Sequence, residues 1–77
     1  MEKVIFDYSK LRGKIREVFR TQKRFAEAMK ISPASISKKL TGKTYFNQQE
    51  MDRAVAVLGL DTGEITVYFF TRAIKIS

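Results

Sequence analysis

Apolar residues recur along this chain at helical spacing, and residues that start and stop helices lie between the runs. Leu11, Ile15, Val18 and Phe19 fall at i, i+4, i+7 and i+8, one face of an amphipathic helix. Lys10, Arg12, Lys14, Arg16 and Glu17 take the opposite face, and Asp7 or Ser9 is placed to cap its start. Gly13 sits inside this helix at a cost of about 1 kcal/mol relative to Ala; close packing by another element is one reason to keep it. Thr21 suits the N-cap of a second, short helix over residues 22–29, with Phe25, Ala26 and Met29 inward. Ser32-Pro33 then reads as an N-cap followed by Pro at the first helical position. The third helix runs from Pro33 to Leu40, with Ile36 and Leu40 inward and Gly42 placed to end it.

Asn47 and Glu50 have capping-box spacing and open a fourth helix whose face is Met51, Val55 and Leu58, ended by Gly59. Asp61 and Glu64 repeat the spacing ahead of a short fifth helix carrying Ile65, Tyr68 and Phe69, although residues 66–71 are also β-prone. The expected fold class is therefore all-α with five helices. Residues 4–6 and 73–76 are candidates for a small two-stranded sheet joining the two ends.

At 77 residues, the chain is expected to form one domain over residues 1–77. It has no Cys and no His, so disulfides and ordinary zinc sites are not expected, and no cofactor or small-molecule ligand is implied. The six Phe and a hydrophobic fraction of 44% supply a core in their place. Without His or Cys, and with scattered carboxylates, the sequence does not read as an enzyme. No run approaches the roughly 18 apolar residues of a membrane span, and the charged start does not read as a secretory signal. A soluble protein of the bacterial cytoplasm is the expectation.

Charge changes the picture most. The net charge is +7. Residues 1–45 hold 12 Lys/Arg against 4 Asp/Glu, whereas residues 46–77 hold 3 against 4. A basic excess confined to one part of a chain is the electrostatic footprint of a polyanion binder. It coincides with two short helices joined by Lys30-Ile31-Ser32, a connection that sets helices at a steep angle and lets the second enter a DNA major groove. That third helix has an apolar anchor in Ile36 and Leu40 and small or polar residues opposite.

The segment Thr21-Gln22-x-x-Phe25-Ala26-x-x-Met29-x-Ile31-Ser32, followed by Ser35-Ile36-Ser37-x-x-Leu40-x-Gly42-Lys43, resembles the Cro/CI-type (Xre-like) helix-turn-helix of phage repressors. The resemblance covers roughly residues 9–70 and implies a five-helix, lambda-repressor-like fold, a phage or prophage origin, and repression through a palindromic operator. By position, it implies that Gln22 contacts a phosphate. Pro33, Ala34, Ser37 and Lys38 then lie among the bases, Ser35 lies against the backbone, and Thr41, Lys43, Thr44 and Tyr45 extend the phosphate clamp. Lys14, Arg16 and Lys23 read mainly as solvated charges.

Three positions depart from the family pattern. Lys30 stands where Gly is common, and a left-handed residue there carries steric strain, so a different turn is expected. Ile15 and Leu40 stand where a buried Arg–Glu pair is common, which implies an apolar contact instead. Lys39 is polar where the family is apolar. Direct base readout relies on Arg, Asn and Gln, and the third helix has none of them. Lys38 is thus the best candidate for a guanine contact, and DNA shape or half-site spacing would carry the rest of the specificity.

Two functions follow from these features. The first is an operator-binding transcriptional regulator acting on double-stranded DNA as a homodimer, with half-sites about 34 Å apart. Its dimer contact is expected from the fifth helix, the tail or the N-terminal segment. The second is a protein-interaction module, antitoxin-like or an anti-repressor partner, that uses the same fold.

Overall fold

The computed structural model describes residues 5–73. Five α-helices follow one another: α1 (Ser9–Phe19), α2 (Gln22–Met29), α3 (Pro33–Leu40), α4 (Gln48–Leu58) and α5 (Ile65–Phe69). A 3-10 turn, Thr62–Glu64, leads into α5, and the Asp61–Glu64 capping box belongs to this turn. The five-helix expectation thus holds, with the start of α5 displaced by one turn.

Capping explains where the helices begin. Thr21 accepts from the Arg24 N–H, Ser32 from that of Ser35, and Asn47 from that of Glu50. At α1, Asp7 accepts from both the backbone and the hydroxyl of Ser9. Those two bonds hold the Asp7 carboxyl below the ordinary carboxylate range.

The endings share one device. A left-handed residue stands directly after α2 and α4 and one residue further on after α3, and two reversed hydrogen bonds tie the following N–H groups back to the last turn. Gly42 (φ 84°) and Gly59 (φ 67°) do this at no steric cost. Lys30 does it with a side chain, at φ 59° and ψ 38°. Its N–H reaches the Glu27 carbonyl at 3.1 Å, and the Ile31 N–H reaches Ala26 at 3.1 Å. The expectation of a different turn at Lys30 is therefore corrected: packing on both sides imposes the left-handed conformation in spite of its cost.

One core binds the elements. Leu11, Phe25, Ala26, Met29, Ile36 and Ala54 are fully excluded from solvent, with Ile15, Leu40, Leu58 and Phe69 nearly so. Val18, assigned to the inward face of α1, is instead 42% exposed, because it lies at the edge of the stripe beyond the reach of α2. Ile15 and Leu40 are both buried in the core, as their apolar character implied. An arginine still reaches the end of α3, from a different position: Arg12 donates to the Leu40 carbonyl at 3.1 Å. Arg53 does the same for α2, donating to the Met29 carbonyl at 2.8 Å. Each guanidinium satisfies a carbonyl that a helix end leaves open and opposes the negative end of its dipole.

The terminal sheet is not formed among the described residues. A single antiparallel bridge joins Phe6 to Arg72, with the Asp7 N–H donating to Thr71 at 2.7 Å and the Ala73 N–H to Ile5 at 3.0 Å. Tyr8 and Ser9 enter α1 at once, so on that side the pairing stops at Asp7. Val4 and residues 74–76 of the expected strands lie outside the described residues.

Two substitutions should raise stability. Lys30→Gly removes the steric cost of a left-handed side chain, about 1 kcal/mol. Gly13→Ala gains about the same, because nothing approaches within 4 Å of an added Cβ, so close packing does not explain this glycine. In thermal melts each kcal/mol should appear as a rise of about 4–8 °C for a domain of this size; an unchanged or lower midpoint for Lys30→Gly would mean that the side chain itself contributes.

Candidate nucleic-acid interface

The α2–turn–α3 unit turns one continuous row of small and basic residues to solvent. Pro33, Ala34, Ser37 and Lys38 are all exposed on α3, opposite the buried Ile36 and Leu40. Ser35 is half-buried and already engaged, since its N–H and its hydroxyl both meet the Ser32 hydroxyl. Thr41 is exposed, and its hydroxyl donates to the Ser37 carbonyl at 2.9 Å. Lys43 and Thr44 are exposed beyond the helix, with their N–H groups folded back onto the Lys38 carbonyl. The backbone after α3 is thus pinned while the Lys43 and Lys38 side chains extend from it.

Two further predicted contacts have other surroundings. Tyr45 is 49% exposed and stands edge-on to Phe6, with ring centroids 6.0 Å apart. It borders an aromatic depression of about 280 Å³ floored by Tyr8, Phe46 and Phe69 and walled by Phe6 and Phe70. Burial, and then the neighbouring Tyr45 phenol, raise the Tyr8 pKa above its ordinary value. Gln22 is half-buried at the start of α2, where it lines a polar cleft with Arg12, Arg16, Arg20 and Thr21. Arg12 and Arg20 had no functional reading in the sequence. The signal that could have found them is the spacing i, i+4, i+8 of three arginines running into the first cap.

Lys39 resolves the remaining departure. Its ammonium turns inward to Glu50, at 3.0 Å, and donates to the Tyr45 carbonyl at 3.1 Å, 5.9 Å from the centre of the Phe46 ring. Both side chains are largely covered, 14% and 18% exposed. The same Glu50 oxygen accepts the Asn47 N–H at 2.8 Å to close the capping box. A polar residue at this position thus ties α3, the following loop and α4 together, and the stem of Lys39 packs where an apolar side chain would.

Among the described residues no group of His, Cys, Asp or Glu is arranged to hold a metal, and no helix is long and apolar enough to cross a membrane. What the exposed face offers is charge, hydroxyls and close approach, which suits recognition of another macromolecule.

The shared role of Glu50 gives a test. Glu50→Ala should cost about 2 kcal/mol in urea unfolding, because it opens the capping box and leaves a covered ammonium short of its partner. Glu50→Gln keeps an acceptor for the Asn47 N–H and should cost about half as much. Equal losses for the two variants would show that the charge on Glu50 adds nothing.

A family model described as "Protein of unknown function (DUF739)" matches residues 4–72. Among solved structures, the chain is similar to the solution structure of the modulator of repression (MOR) of the temperate bacteriophage TP901-1 from Lactococcus lactis. The two are 45% identical with a TM-score of 0.76, over 84% of this chain and 88% of that one. No curated protein matches.

Proposed function

The chain belongs to the family described as "Protein of unknown function (DUF739)", and on that premise we propose that it is a phage-type regulator of transcription whose α2–α3 unit acts as a helix-turn-helix on double-stranded DNA. The observation that carries this reading is the exposed row of Pro33, Ala34, Ser37 and Lys38 on α3, flanked by Lys43 and by the arginine cleft at Gln22. Ser37 and the small Ala34 allow α3 to lie close to base edges in a major groove about 12 Å wide. Lys38 supplies the one cation at the centre of the row. Thr41, Lys43 and Thr44 follow as phosphate contacts. Ser35, held by Ser32, serves the backbone rather than the bases, and Tyr45, edge-on to Phe6, is left out of this contact set.

Two copies would be needed to give such a sparse reading surface useful specificity, and we place their contact on the apolar side chains left exposed near Phe6 and α5. Ile5, Val67 and Phe70 are each at least 40% exposed, and Phe70 lines the aromatic depression. An isologous pair across this patch leaves both α3 helices free to face one palindrome.

A second reading has its own support. The outward face of α3 lacks Arg, Asn and Gln, and the similar phage protein is named for modulating repression. On this reading the same face docks on a repressor protein and changes repression without reading bases.

Binding to DNA selected from a random pool, measured across a salt series, separates the two. The DNA reading predicts an enriched site and an affinity that falls steeply as salt rises, through counterion release. No enriched site, together with a one-to-one complex with a repressor protein, would establish the second reading in its place. For the dimer, sedimentation equilibrium should show a concentration-dependent pair. Val67→Glu, which adds a charge at an exposed position, should dissociate it with no loss in melting temperature. A wild-type chain that stays monomeric at high micromolar concentration rules out the paired arrangement.

A further inference from the structure

Folding explains only Arg12 in the arginine cleft, through its bond to the Leu40 carbonyl. Arg12 and Arg16 stand one turn apart on α1, Arg20 follows at its end, and all three line a cleft of about 180 Å³. This is several times the roughly 30 Å³ that a water molecule occupies in the liquid. No carboxylate lines the cleft, and the remaining lining is Ile15, Thr21 and Gln22. Among the described residues neither Arg16 nor Arg20 has an ion-pair or side-chain hydrogen-bond partner. Like charges at i and i+4 repel, so the arrangement opposes helix formation. Arg20 adds a second cost, because its backbone holds φ 72°, a conformation that favours glycine. The dipole of α1 accounts for a cation near its end, but not for three converging on one cleft. Arg12 is also fixed in place, since one of its nitrogens donates to the Leu40 carbonyl at 3.1 Å. Repulsion and backbone strain gathered at one polar cleft mark a site whose charge is completed by a ligand.

We propose that this cleft is a phosphate-binding site, with Arg16 and Arg20 as its mobile guanidiniums and Arg12 as the fixed one. Guanidinium groups match the oxygens of a phosphate with paired N–H donors. The site's source of phosphate, on the DNA reading above, is a backbone phosphate outside the groove that α3 enters. The inference rests on that reading for this source alone, because a free phosphate would meet the same three groups.

The test uses the full chain with Arg16→Ala, Arg20→Gly and the double variant, alongside Lys10→Ala, which removes a charge on α1 outside the cleft. Arg12 is left intact because it also holds α3. Arg20→Gly removes the guanidinium while relieving the positive φ, so its melting temperature should not fall. In the DNA arm, each cleft variant should lower the slope of log affinity against log salt by about 1, and the double variant by about 2; Lys10→Ala should leave the slope unchanged. In the free-ion arm, inorganic phosphate should shift the side-chain N–H signals of Arg16 and Arg20 saturably in NMR spectra, and the double variant should abolish saturation at Arg12. Cleft variants that behave like Lys10→Ala in the DNA arm exclude the backbone as the source. Phosphate shifts that are linear and equal on all basic side chains overturn the site itself. If the wild-type chain binds no DNA, the DNA reading fails, and the free-ion arm alone decides the cleft.

Discussion

The carbonyl of Met29 is where three demands on this chain meet. It is the last open acceptor of α2, it sits beside a left-handed lysine, and it points toward α4, whose Arg53 donates to it at 2.8 Å. Without that bond the negative end of α2 would lie against a covered surface with nothing to oppose it. With it, α4 fixes the height of the turn, and the turn fixes the angle at which α3 departs. Phe25, Ala26 and Met29 then bury completely beneath α1 and α4. The exposure of Pro33, Ala34, Ser37 and Lys38 follows from this, since α3 has one apolar stripe and only one side left to turn outward.

Arg12 gives α3 the same treatment at Leu40. Two arginines from two different helices thus hold the C-terminal ends of α2 and α3 through backbone carbonyls rather than through carboxylates. A backbone acceptor cannot be lost by mutation, and it carries no proton equilibrium. Because Arg12 holds the backbone at Leu40, the side chain there is left free to be apolar.

Much of this was legible in the residues. Thr21, Ser32 and Asn47 announced three helix starts, because a side-chain cap is a local device that tertiary packing seldom overrides. Ile36 and Leu40 announced the inward side of α3 for the same reason: four-residue spacing leaves no other face. What could not be read was any contact that depends on distance through space. Arg12 and Arg53 look like solvated charges in sequence, and their partners are carbonyls, which every residue has. Lys39 looks like a misplaced polar residue until Glu50, eleven positions later, is brought beside it. Lys30 was misjudged because its local preference was weighed without the packing that outvotes it. The α3 row within the candidate interface was foreseen as a row, whereas the arginine cleft beside it needed α1 and α2 to be placed together.

Arg20 and Lys30 bracket α2 with two positive-φ residues. An eight-residue helix has little stability of its own in water, and here both of its boundaries are strained as well. Beyond its Thr21 cap and the Arg53 bond at Met29, what keeps α2 formed is what it buries. Any opening of this helix uncovers Phe25, Ala26 and Met29 together and so dissolves the core they share. In the language of amide exchange, the protected hydrogens of α2 are expected to share the protection of the core that the helix helps to form.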